Sequence, residues 1–154
     1  PFTDVFAWAP EDRLVFEARG LVYRDAELYD LATKDFDNAI TLDPTYGESY
    51  LHRAVCRLRL KQFKMAAMDC NAALRRGYET EYVYSCKASA LRGLGDHIEA
   101  LSALSTALEL ASDATRTSCL FERAQCFMEL GRFDSAQADL EAALEAEPTS
   151  IRFL

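Results

Sequence analysis

The sequence predicts an all-α chain built from stacked antiparallel helix pairs, and three observations carry that prediction. Three columns of small residues advance in step along the 154 residues: Gly20, Ala54, Ala88 and Ala124; Ala32, Ala66, Ala100 and Ala136; Ala39, Ala73, Ala107 and Ala143. Each column moves by 34, 34 and then 36 positions, and self-similarity at such a period marks a repeat architecture. The composition favours helices, since Ala, Leu, Glu and Arg dominate while Gly (6) and Pro (4) are scarce. Helix breaks also recur once per period, near Glu27-Leu28, Lys61-Gln62, Gly95-Asp96 and Gly131-Arg132.

In chain order, residues 1–12 are expected to be the end of a preceding helix or a cap. Pro10 lies 34 residues before Pro44, and Phe2 to Pro10 aligns with Phe36 to Pro44. Four units follow at 13–46, 47–80, 81–114 and 117–150, with Thr115 and Arg116 as a two-residue insertion. Each unit reads as two helices of about fourteen residues joined by a turn. Gly95 and Gly131 stand where a helix end favours a left-handed residue, and Asp96 is placed to cap the helix that follows. Pro44 and Pro148 stop the second helices of the first and last units. Residues 151–154 read as the start of a further helix, so the chain is expected to be an excerpt of a longer array.

Small residues at the three column positions let neighbouring helices approach closely, while large ones fill the remaining space. Phe16, Tyr50, Tyr84 and Leu120 stand near the start of each first (A) helix, and Tyr29, Phe63, His97 and Phe133 start each second (B) helix. A single pair cannot bury its apolar face, so stability has to come from stacking. A further column pairs Arg19 with Asp35, Arg53 with Asp69 and Arg123 with Asp139, whereas Lys87 faces Ala103. A guanidinium holds a carboxylate through two parallel hydrogen bonds and an ammonium does not. This covariation predicts an Arg–Asp bridge between the A and B helices of three units.

The columns resemble those of the tetratricopeptide repeat family. Phe16, Gly20, Tyr23, Ala32, Phe36, Ala39 and Pro44 carry the likeness in the first unit, and Leu120, Ala124, Phe127, Ala136, Leu140, Ala143 and Pro148 in the fourth. The middle units depart at Arg57, Cys70, Tyr78 and Ser112. The resemblance implies a right-handed superhelical solenoid that binds a peptide or helix of a partner protein along the concave surface of its A helices. It assigns to that groove Leu21 and Arg24; Leu51, His52, Val55 and Arg59; Tyr82, Cys86 and Arg92; and Phe121, Gln125 and Met128. The mixture of apolar anchors and polar side chains suits an extended or helical peptide.

Chemistry finds little support. There is no Ser/His/Asp or Cys/His set, no phosphate-binding glycine loop and no metal-ligand spacing, so no catalytic, cofactor or metal residues are assigned. His97 occupies an aromatic column and reads as a structural ring, and His52 reads as a solvated histidine on the groove face. Five cysteines in no CxxC pair argue against a disulfide framework or a zinc site. They point to a reducing compartment such as the cytoplasm, with Cys56 and Cys126 buried and Cys86 the most exposed. A net charge of -8 disfavours nucleic acid, and no apolar run reaches the roughly 20 residues that span a bilayer.

Members of the family that bind the acidic C-terminus of heat-shock chaperones use Lys, Asn and Arg on successive A helices. In one register the corresponding positions are Glu17, Leu21, His52, Tyr82 and Cys86, and in the next Leu51, Val55, Cys86, Ser118 and Glu122. Neither forms a cationic clamp, which makes that tail a poor ligand. Charge is uneven, with the unit at 47–80 basic and its neighbours acidic. Self-association, an architectural role, or substrate docking within a larger protein remain the alternatives to peptide binding.

Overall fold

The computed structural model describes residues 12–146 and, among them, eight helices and no strand. We number them α1 (Arg13–Asp25), α2 (Tyr29–Leu42), α3 (Gly47–Arg59), α4 (Phe63–Arg75), α5 (Glu81–Gly93), α6 (His97–Leu110), α7 (Asp113–Glu129) and α8 (Phe133–Ala146). Odd-numbered helices are the A helices and even-numbered ones the B helices. The expectations for residues 1–11 and 147–154, Pro148 included, lie outside the described residues. The chain divides into two compact units at 78/79, each holding two helix pairs.

Every A helix ends in the same way. In α1 the Leu28 N–H donates to Tyr23 O and the Glu27 N–H to Arg24 O. The same two bonds recur from Gln62 and Lys61, from Asp96 and Gly95, and from Arg132 and Gly131. This pairing of the last carbonyls needs one residue in the left-handed region. Glycine supplies it at Gly95 (φ 82) and Gly131 (φ 71), but Glu27 (φ 62) and Lys61 (φ 58) adopt it with a side chain. Starts vary more. Asp12 accepts from Leu14 N, and Asp96 accepts from Glu99 N, as its position implied. Thr115 and Arg116 do not form a separate insertion: both lie in α7, which runs to 17 residues where the other A helices have 13.

Packing follows the small-residue columns. In the 12–78 unit, Ala32 and Phe36 of α2 meet Cys56 of α3, with Leu21, Tyr23 and Tyr29 around them. In the 79–146 unit, Ala88, Ala100, Ala103, Leu104 and Cys126 join α5, α6 and α7. A second cluster of Ala107, Leu108, Cys119, Leu120 and Ala143 carries the stack on to α8. Each core thus ties a B helix both to its own A helix and to the next. The three Arg–Asp bridges are present and two-pronged. Arg19 reaches Asp35 at 2.8 and 2.8 Å, Arg53 reaches Asp69 at 3.1 and 2.7 Å, and Arg123 reaches Asp139 at 2.7 and 2.7 Å.

Candidate functional site

In the 79–146 unit, α5 and α7 touch each other and carry three large side chains in the open: Tyr82 (60% exposed), Phe121 (51%) and Met128 (48%). Phe121, Gln125 and Met128 recur at i, i+4 and i+7, which puts them on one side of α7. The polar frame of this face is already organised. Arg92 donates from Nη2 and Nε to Glu129 at 2.6 and 3.1 Å, and from Nη1 to Gln125 Oε1 at 3.3 Å. That guanidinium holds the Glu129 carboxyl below its ordinary range. Glu122, by contrast, has its acidity weakened by burial.

Two of the predicted groove residues are closed off. Cys86, expected to be the most exposed thiol, is 7% exposed, and Leu51 is likewise 7%. The A helices within each unit are in direct contact, α1 with α3 and α5 with α7, so the open face is narrower than the helical periodicity implies. Leu21 is drawn into the Phe36 cluster. His52 is not a solvated histidine: its ring stacks on Phe36 at 5.5 Å. Its Nδ1 lies 3.2 Å from Arg24 Nη1 and its Nε2 lies 3.5 Å from Glu48. Burial, and then the Arg24 charge, lower its basicity despite Glu48. Of the 12–78 set, Val55 is half-buried and Arg59 exposed.

His97, Cys126 and Glu129 bring three potential metal-ligand atoms within 4.8 Å of one another, a juxtaposition that sequence spacing did not signal because it joins two helices. Each group has other work. Arg92 takes both oxygens of Glu129, and the Cys126 thiol donates to His97 O at 3.3 Å. His97 Nδ1 approaches Glu129 at 3.0 Å but without hydrogen-bond geometry. Burial pushes the Cys126 thiol up and Cys56 to about 11, so both are held as inert thiols. All five cysteines are buried.

A tetratricopeptide repeat family model matches residues 91–154. Solved structures extend the likeness across the chain. MamA aligns with a TM-score of 0.86 at 17% identity, over 97% of this chain and 86% of that one. YrrB, described as a TPR protein with an unusual peptide-binding site, aligns at 0.79 and 23%, over 96% and 75%. The first TPR domain of Spaghetti (RPAP3), bound to the HSP90 peptide SRMEEVD, aligns at 0.72 and 26%, over 77% and 95%. The family match over the C-terminal part of the chain, these neighbours and the four helix pairs of the described residues together show the fold of tetratricopeptide repeats.

Proposed function

We propose that the chain is a protein–protein interaction scaffold whose 79–146 unit receives an apolar segment of a partner protein on the α5–α7 face. The observation that carries this reading is the open trio of Tyr82, Phe121 and Met128 beside a polar frame that is already paired. Large exposed apolar side chains rimmed by ordered polar groups mark interaction surfaces, and tetratricopeptide proteins are in general non-catalytic scaffolds. Gln125 and Arg92 supply the polar rim. In the 12–78 unit, Val55 and Arg59 are the remaining accessible candidates, because Leu21, Leu51, Arg24 and His52 are engaged within the fold.

An acidic chaperone tail is a poor ligand for this face, although the Spaghetti domain holds one. Glu17 accepts from Ser49 and Arg13, Cys86 is buried, and Tyr82 is apolar, so these positions offer no cationic clamp. Buried thiols suit a reducing compartment such as the cytoplasm. The acidic surface disfavours nucleic acid, and no described helix is long and apolar enough to cross a membrane.

The test is affinity capture with the parent chain and with Tyr82→Ser, Phe121→Ser and Met128→Ser combined, after circular dichroism has shown equal helicity. A partner retained by the parent and lost by the triple variant supports the reading. Equal retention by both sinks it. Sedimentation at several concentrations addresses self-association, which predicts a mass that rises with concentration.

A further inference from the structure

The basic unit at 47–80 holds a second surface, built from other residues. Seven of the chain's 17 Lys and Arg residues fall in it against three of its 25 Asp and Glu. Within it, α3 and α4 frame an open cleft of about 510 Å³. Tyr50, Arg53 and Arg57 line it from α3 at i, i+3 and i+7. At 100° per residue they lie about half a turn away from Leu51, His52, Val55 and Arg59. Met65, Met68 and Arg75 face the cleft from α4 at i, i+3 and i+10, again one stripe.

The cleft's charge is only partly neutralised. Asp69 accepts from Arg53 and, at 2.6 Å, from Arg57, while Arg53 also reaches Asp37 at 2.8 Å. Arg57 Nε is buried without a hydrogen-bond partner. Arg76 lies over the Tyr50 ring at 4.1 Å and donates to the Pro44 and Ala72 carbonyls rather than to a carboxylate. Among the described residues Arg75 has no acidic partner either, so of these four guanidiniums only Arg53 and Arg57 meet a carboxylate. The two α4 methionines beside them are open, Met65 at 44% and Met68 at 60%. Such thioether side chains adapt to varied apolar partners, and guanidiniums bind carboxylates in matched pairs.

We propose that this cleft docks an acidic peptide segment of a partner protein, with carboxylates on Arg75 and Arg76 and an apolar side chain between Met65 and Met68. The site is separate from the α5–α7 face and does not depend on it. Charge complementarity selects the ligand, and the paired methionines favour a peptide over a phosphate backbone, which the remaining acidic chain would repel.

Fluorescence anisotropy with labelled peptide EELEEFEE at low salt tests the proposal. QQLQQFQQ and a ten-nucleotide thymidine oligomer serve as comparison probes, with sedimentation of the unliganded chain alongside. Saturable binding of EELEEFEE should weaken about tenfold in Arg75→Glu and clearly in Met68→Ser. Both cleft substitutions are at exposed positions, so the fold should be retained. Several results overturn the proposal: no saturation, equal affinity for the glutamine peptide, tighter binding of the oligonucleotide, or unchanged affinity in both cleft variants. A concentration-dependent mass abolished by Arg75→Glu would assign the cleft to a second copy instead, and also overturns it.

Discussion

Gly20 shows how closely one residue can be tied to its neighbour. A Cβ built there would stand 2.8 Å from Phe36 Cε1, whereas the equivalent Ala88 shares a core with Leu104. Gly20→Ala should therefore destabilise by about 1 kcal/mol, an overpacking cost of roughly 1–3 partly offset by helix propensity. In a Phe36→Leu background the same change should become neutral or favourable, and urea denaturation of the four variants measures this directly. Glu27 and Lys61 are the converse case, since a side chain in the left-handed region costs roughly 1–2 kcal/mol. Both are exposed, so Glu27→Gly and Lys61→Gly should each raise the midpoint, by about 1 kcal/mol at most. His52 adds a pH dependence. Its basicity is lowered from the ordinary 6.5, so the fold favours the neutral ring. That stability is fully present above pH 6.5 and is lost as pH falls below it through the lowered value. Denaturation between pH 7.5 and 5.5 should show the loss, and His52→Gln should flatten the slope.

At the scale of the helix, the Arg–Asp bridges do what the columns implied. Each joins an A helix to its B helix across a contact whose carboxylate is buried, Asp35, Asp69 and Asp139 alike. Asp139→Asn should cost about 2 kcal/mol, below the range for fully buried pairs because Arg123 is partly exposed. Lys87 and Ala103 provide the matching gain. Ala103→Asp alone should be destabilising, because it places a carboxylate in the apolar core. Adding Lys87→Arg should recover at least about 1 kcal/mol in a double-mutant cycle. Helix pairing, turn positions and these bridges were legible because each depends on residue types at fixed offsets. The merging of Thr115 and Arg116 into α7 was not, since lengthening a helix from 13 residues to 17 leaves no turn residue behind. Nor was the burial of Leu51 and Cys86, which follows from how near α1 lies to α3 and α5 to α7. The His97–Cys126–Glu129 cluster was hidden for a related reason: it joins the start of a B helix to the next A helix across 29 and 32 positions.

At the scale of the molecule, the described residues pair many polar groups within the fold and leave apolar side chains open, Tyr82, Phe121 and Met128 among them. The thiols follow the same rule: all five are buried, so an aromatic disulfide reagent should react with none at pH 7.5 in the native chain and with five after denaturation. Which side chains stay open was only partly readable from sequence, because a repeat pattern states which side of a helix faces outward and not which side chains neighbours will claim. Leu21 and His52 were claimed by Phe36 and Arg24; Tyr82, Phe121 and Met128 were not. The most direct measurement is amide hydrogen exchange on the chain with and without the partner recovered by affinity capture. Slowed exchange in α5 and α7 around Tyr82, Phe121 and Met128, with α6 and α8 unchanged, is the predicted result. Protection confined to other helices, with α5 and α7 exchanging as in the unbound chain, would contradict the account.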